Sequence, residues 1–416
     1  MADLSRNEAP LSSAAIAPWL IVIGIGEDGR AGLSAAALHA LADAELVVGG
    51  KRHLDLVAPL AGETLAWPSP IHDAFPAITA RRGGKVVVLA SGDPFHYGVG
   101  VQLAALVPPA EMRVIPQPSA FALACARLGW AQQDCALVSL HGRALERIVP
   151  HLQPGARILA LSWDGATPRK LAALLAARGM GRSSLTVLEA MGGPRERLRI
   201  ARADAFDLSG IDPLNLVAVE VVADRDARVV PLAVGLDDDW FENDGQITKA
   251  EIRAVTLAAL APGAGELLWD VGAGSGSIGI EWCLRHPANR AIAIEAHAER
   301  AARVGRNALA LGGLAVMVIE GRAPEALAGL EPPHAVFIGG GIADPAMFDA
   351  CWQALRPGGR LVVNAVTLEG EARLAALFAE YGGTMRRIGI ERLGAVGGKH
   401  GWRPAMAVTQ WRVVKP

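Results

Sequence analysis

Short runs of Val, Ile and Leu alternate along this chain with longer stretches rich in Ala, Leu and Arg. The alternation predicts an α/β fold with mainly parallel strands. In the first half it predicts strands over 19–25, 85–90, 112–115, 135–140, 157–162, 184–190 and 215–222. In the second half, strand and helix repeat more regularly, with strands over 266–271, 290–295, 315–320, 334–338 and 359–365. Two further apolar runs, 385–392 and 405–413, follow the last helix, and a glycine-rich loop at 394–401 separates them. A charged, non-periodic stretch from Ala223 to Gly245 parts the halves and places a domain boundary near 230. The expected domains are 18–230 and 231–416. Pro116-Gln-Pro118 interrupts the first of these, giving lobes of about 18–116 and 119–225. Residues 1–17 lack the pattern and are expected to form a disordered tail.

Two glycine-rich loops, unlike in their surroundings, each follow an apolar run. They are Gly24-Ile-Gly26-Glu-Asp-Gly29 and Gly272-Ala273-Gly274-Ser275-Gly276. Glycines let a backbone approach a ligand closely, and a helix start adds free N–H donors. Glu295 ends the next strand of the second half, where a carboxylate can accept hydrogen bonds from a ribose diol. Both loops fit the dinucleotide fingerprint, a weak motif alone, so an NAD(P)-dependent oxidoreductase with two Rossmann units is one reading. The other is a methyl-donor loop. Asp270 two positions before Gly272, the polar helix start Gly245-Gln-Ile-Thr-Lys-Ala-Glu-Ile-Arg253, and a closing hairpin-like pair of strands favour it.

Bulk properties narrow the class. At roughly 150 residues per domain, 416 residues suggest two or three domains. With 40 Lys+Arg against 42 Asp+Glu the net charge is −2, which excludes a general nucleic-acid binder. The four cysteines form no C-x-x-C pair and the ten histidines never fall at i, i+4. No metal site is therefore expected, and the cytoplasm is the natural compartment. No apolar run is long enough to cross a bilayer, and the N-terminus has no basic signal region, so no membrane partner is expected. No Ser/His/Asp or Cys/His constellation stands out, and no catalytic residue is assigned.

The motifs also carry a family resemblance. Gly245-Gln-Ile-Thr-Lys, Asp270-Val-Gly-Ala-Gly-Ser-Gly-Ser-Ile-Gly-Ile-Glu281, Glu320-Gly-Arg-Ala-Pro-Glu-Ala-Leu327 and Phe337-Ile-Gly-Gly-Gly341 resemble class I methyltransferases. Within that class they resemble the C15-methylating, decarboxylating cobalt-precorrin family, over about 236–416. Ala90-Ser-Gly-Asp-Pro-Phe-His-Tyr-Gly98 and Pro118-Ser-Ala-Phe121 resemble the tetrapyrrole methylases, or class III methyltransferases. Ser139-Leu-His-Gly-Arg143 and Leu188-Glu-Ala-Met-Gly-Gly-Pro-Arg-Glu-Arg197 narrow this to the C5-methylating branch, over about 18–225. Together the halves resemble the fused, decarboxylating methyltransferases of cobalamin biosynthesis.

That resemblance implies a two-lobed tetrapyrrole-methylase fold joined to a Rossmann-like class I sheet. It implies S-adenosylmethionine at two sites and a tetrapyrrole substrate, precorrin-6Y, methylated at C5 and C15 and decarboxylated at the C12 acetate to precorrin-8X. A cytoplasmic homo-oligomer is the expected state. The donor contacts it implies are Gly24, Gly26, Ser91, Gly92, Asp93, Ser119 and Ala120 in the first half. In the second half they are Thr248, Gly272, Ala273, Gly274, Ser275, Gly276, Glu295 and Ala323. Two residues depart from the family pattern, Glu27 in place of proline and Arg322 in place of aspartate.

A polycarboxylate substrate calls for cations in the clefts. His141 and Arg143, in a loop after a strand, are the candidates in the first half. Lys249 and Arg253, one helical turn apart, are those in the second, unless they form a solvated helix face. Lys399, His400 and Arg403 either cap the second cleft or decorate an exposed hairpin.

Overall fold

The computed structural model describes residues 18–416, so the tail expected over 1–17 lies outside the described residues. The chain forms two compact units. One takes the chain up to Arg143 together with Pro154–Ala227, and the other takes Ala144–Gln153 together with Arg228–Pro416.

In the first unit, β1 (Leu20–Ile25), β2 (Leu46–Gly49), β3 (Glu63–Ala66), β4 (Val86–Ser91) and β5 (Met112–Ile115) form one sheet. Its order is β3-β2-β4-β1-β5 and every pairing is parallel. The central strands are apolar on both faces. Leu20, Val22, Val86 and Val88 pack into one core, and Ile23, Ile25, Val87 and Leu89 into another. A parallel sheet covered on both sides reads as such unbroken runs. β2 and β3 were not anticipated: each is only four residues long, and β3 is a largely exposed edge.

The second lobe departs from the expected parallel order. β6 (Cys135–Ser139), β7 (Arg157–Leu161), β8 (Ser184–Glu189), β9 (Arg197–Arg202) and β10 (Asn215–Glu220) run in the order β6-β7-β10-β8-β9. Only β6 and β7 are parallel; β10 is antiparallel to both its neighbours, and β8 and β9 form a hairpin. Burial of both faces makes β7, β8 and β10 look alike in sequence whatever their direction, so the pattern does not reveal the reversal.

The second unit is built on β11 (Leu267–Val271), β12 (Arg290–Glu295), β13 (Val316–Glu320), β14 (Ala335–Ile338), β15 (Arg360–Ala365) and β16 (Thr384–Ile388). After these come β17 (Glu391–Val396), β18 (Lys399–Pro404) and β19 (Val408–Val414). The seven-stranded sheet has the order β13-β12-β11-β14-β15-β19-β16. Its first five strands are parallel, and β19 is antiparallel to both β15 and β16. This closing pair is the one the sequence predicts. A dinucleotide-binding sheet of six parallel strands has no such pair, which removes the Rossmann oxidoreductase reading of this unit. The predicted loop at 394–401 is corrected: 394–396 and 399–401 belong to β17 and β18, a separate two-stranded hairpin turned at Gly397-Gly398.

Ala144–Gln153 is a second correction, because the expected domain 18–230 included it. Ile148, Val149 and Leu152 of this segment are buried in the second unit. The segment packs at the end of the helix Ala298–Leu311, where a Cβ on Gly312 would lie 2.6 Å from the Pro150 ring. No helix among the described residues is long and apolar enough to cross a membrane.

Candidate functional site

Ligands of open α/β sheets sit beyond the carboxyl ends of the strands, where strand order reverses. In the first unit that point lies at the end of β1, between β4 and β5. Gly24 meets the Ser91-Gly92-Asp93 turn so closely that a Cβ would fall 1.8 Å from the Gly92 carbonyl oxygen. Gly92 donates to Ile25, and its carbonyl accepts from Gln117 at 3.1 Å. Asp93 Oδ1 accepts from the Phe95 amide at 2.8 Å and so holds the turn. Ser119 caps the helix Ala120–Leu128 by accepting from the Ala122 amide, and a Cβ on Gly92 would lie 3.1 Å from its Cα. Gly24, Gly92 and Ser119 thus pack against one another at the ends of β1 and β4, with Ser91, Asp93 and Ala120 next to them along the chain. Gly26, beyond Gly24 in the loop, packs against the Asp28 side chain.

The Ser91 hydroxyl is 2.9 Å from His53 Nε2. Burial, with the Arg52 charge beside it, pushes the His53 imidazole down to about 4. Glu27 has its own role. Its nearly buried carboxylate pairs with Arg52 from the first lobe and Arg195 from the second. Arg195 also pairs with Asp212. A cavity of about 490 Å³ opens beside these groups, lined also by Lys51 and Asp55. His141 and Arg143 are both exposed in the turn after β6.

The second unit carries a larger cavity, about 790 Å³, at the reversal point between β11 and β14. Thr248, Lys249, Gly272, Ala273, Gly274, Glu295 and Ala323 line it. The Ser275 side chain is buried beneath the loop and its hydroxyl has no partner. Gly276 begins the helix Ser277–Arg285 at φ +77°, with the Val304 side chain where a Cβ would stand. Glu295 Oε2 accepts from the Gly274 amide at 2.8 Å and Oε1 from the His297 amide at 3.0 Å. Arg300, Arg322 and Arg392, the Gly339–Gly341 run and Met406 are also part of the lining. Arg300, Arg392 and Met406 were not singled out from sequence, since they come from segments far apart along the chain.

Asp270 sits at the end of β11 with its side chain fully enclosed. Oδ2 accepts from the Gly279 amide at 2.9 Å, while Oδ1 has no partner. Burial, opposed by that bond and aided by the nearby Glu295 charge, pushes its carboxyl up to about 7. The folded protein therefore keeps a proton on Asp270 between about pH 4 and 7 that the unfolded chain has lost. Stability falls as pH rises through that window, and the cost is complete above it. Asp270→Asn is expected to be more stable than the wild type at pH 8 and to lose most of that advantage at pH 5, measured by urea unfolding. An advantage that is the same at both pH values would contradict this.

Arg253 is corrected. It does not face the cavity: its side chain is wholly buried, with Nε 2.6 Å from Glu281 Oε1. Its remaining donors go to the Thr248 and Leu236 carbonyls and toward Asp238. It clamps the Thr248 segment instead of meeting a ligand. Lys249 does reach the cavity rim but is paired with Asp238 at 3.2 Å. Lys399 and His400 are exposed on the β17–β18 hairpin, and with Arg403 they lie outside the cavity lining.

Comparisons with known proteins agree with this geometry. Residues 19–207 match the family described as tetrapyrrole (corrin/porphyrin) methylases, and 239–415 match the precorrin methyltransferase domain. A Sinorhizobium protein named precorrin-6Y C(5,15)-methyltransferase [decarboxylating] is 56% identical over 416 residues, covering 100% of both chains. A Mycobacterium tuberculosis protein of the same name is 41% identical over 402 residues, 95% of this chain and 100% of that one. A Salmonella typhimurium cobalt-precorrin-7 C(5)-methyltransferase is 37% identical over 182 residues, 43% of this chain and 88% of that one. Two methylase folds in this order, matched from end to end by a relative that shares more than half its residues, show that the chain belongs to the precorrin-6Y C5,15-methyltransferase (decarboxylating) family.

Proposed function

We propose that the chain is a bifunctional methyltransferase with one S-adenosylmethionine site in each unit. The first unit methylates precorrin-6Y at C5; the second methylates C15 and removes the C12 acetate carboxyl, giving precorrin-8X. The observation that carries this is a glycine turn at the reversal point of each sheet, closely packed in the first unit and lining the larger cavity in the second. S-adenosylmethionine supplies an already activated methyl group, so the protein's task is to orient two reactants and exclude water. Each carbon methylation releases a proton, and loss of CO2 from the C12 acetate takes one up at the remaining methylene.

The donor set of the second cavity fits that ligand. Glu295 has used one lone pair on each oxygen for a backbone amide and keeps acceptor capacity for a ribose diol. Asp270 Oδ1, at the end of β11, and the Ser275 hydroxyl, in the loop that follows, are buried without a partner. In the first unit Gly24, Gly92 and the Ser119 helix start form the corresponding floor, with Ser91, Asp93 and Ala120 around it.

Calorimetry with S-adenosylhomocysteine tests the reading: two sites per chain are expected, and no response to NAD. Tight NAD binding with no response to S-adenosylhomocysteine would overturn it. Glu295→Ala removes charge-assisted hydrogen bonds worth on the order of 1.5–3 kcal/mol, so affinity at one of the two sites is expected to fall roughly ten- to a hundredfold. C15 methylation then weakens at limiting donor and recovers partly at high donor. An unchanged second affinity would remove Glu295 from the site.

A further inference from the structure

Tyr97 lies a few residues past the Gly92-Asp93-Pro94 turn, and its φ of 59° is in the left-handed region that aromatic side chains rarely adopt. Such strain persists only where the surroundings over-determine it, and it gathers at ligand sites. The ring is 47% exposed, so core packing does not account for it. Its hydroxyl donates to the Leu137 carbonyl at 3.3 Å, on β6, the edge strand of the second lobe. The ring stacks with His96 at 5.3 Å between centroids, and the Arg143 guanidinium lies 5.3 Å from its centre.

Many arginines of this unit hold a carboxylate, and others, Arg30 and Arg169, donate to backbone carbonyls. Arg52 and Arg195 hold Glu27, Arg127 holds Glu196, and Arg197 and Arg199 hold Glu189. Among the described residues, Arg143 has no carboxylate partner. A guanidinium lying on an aromatic ring is fixed in orientation while its N–H donors, directed outward in its own plane, stay available for a bidentate acceptor.

We propose that Tyr97 is a positioning residue that aims Arg143 at a carboxylate of the tetrapyrrole, next to the Gly92-Asp93 turn. This rests on the two-site reading and deepens it. Tyr97 and the turn share one short loop, so the Tyr97 backbone sets the distance from the anchored carboxylate to the methyl donor. The left-handed conformation carries the ring from the first lobe to the edge of the second. A residue with an ordinary φ would direct the chain elsewhere.

The test uses the full chain, with products resolved by mass spectrometry and S-adenosylhomocysteine binding followed by calorimetry. Arg143→Ala is expected to raise KM for the tetrapyrrole in C5 methylation by about ten- to a hundredfold, the worth of a charge-assisted pair. Donor affinity and C15 methylation stay unchanged. Tyr97→Gly relieves the strained φ, so its unfolding midpoint is expected to hold or rise. Its KM nevertheless rises as in Arg143→Ala, with kcat less affected. Tyr97→Phe keeps the ring and stays within about threefold of the wild-type KM, because a half-exposed hydroxyl bond is worth little. Adding Arg143→Ala to Tyr97→Gly costs little more, since both remove the same interaction. An unchanged KM in Tyr97→Gly, or full additivity in the double variant, overturns the proposal. A wild type that binds one S-adenosylhomocysteine, or makes no C5 product, brings down the two-site reading instead.

Discussion

Glu281→Ala is expected to lower the stability of the second unit by about 3–5 kcal/mol, the range for stranding one partner of a buried ion pair. Neither Glu281 nor Arg253 has any exposed side-chain surface. The Glu281 carboxylate accepts from Arg253, from the Leu236 amide at 3.0 Å and from the Gly235 amide at 2.7 Å. Removing it leaves a guanidinium in the core and two amides without their acceptor. The unfolding midpoint of this unit is expected to drop by roughly 10 °C. Donor affinity at the second site falls with it, because Arg253 also holds the Thr248 carbonyl. Pairing the change with Arg253→Met is expected to recover only part of the stability: it removes the stranded charge but leaves the Gly235 and Leu236 amides without their acceptor. A single variant as stable as wild type would show that the pair is not structural.

Gly24→Ala is expected to cut C5 methylation by about a hundredfold or more, the cost of moving reacting parts by some 1 Å. The added Cβ would meet two backbone atoms, the Gly92 oxygen at 1.8 Å and the Gln117 nitrogen at 2.6 Å. Neither moves without parting β1 from the β4 turn. Gly26→Ala is the matched control. Its Cβ meets only the Asp28 carboxylate, the movable end of a side chain. That variant is expected to keep most activity, and both variants should leave C15 methylation and decarboxylation intact. Equal losses in the two, or loss of all three activities in Gly24→Ala, would contradict the assignment of C5 chemistry to this site.

The reach of the sequence can be judged residue by residue. Long central strands such as β1, β4, β11 and β12 are legible because burial on both faces leaves an unbroken apolar run. Glycine loops at their ends are legible because few residues other than glycine tolerate such approach. β9 was overlooked although Arg197-Leu-Arg-Ile-Ala-Arg202 alternates as a half-exposed strand does. Two of its arginines, Arg197 and Arg199, serve Glu189. Arg253 failed for a related reason: its helix position is legible, but which face of that helix is buried depends on Glu281, 28 residues away. Partners so distant leave no local trace.

The assignment of Ala144–Gln153 to the second unit has a bearing on how such a gene can change. Two enzymes joined by a simple linker can be separated again by one break in the reading frame. Here a break at Ala227 leaves Ile148, Val149 and Leu152 encoded on the first piece, although they are buried as part of the second unit. Each product then begins with a defect that a further change must repair. Fission is consequently less accessible to mutation than the original joining, so the arrangement acts as a ratchet that favours inheriting both activities as one gene.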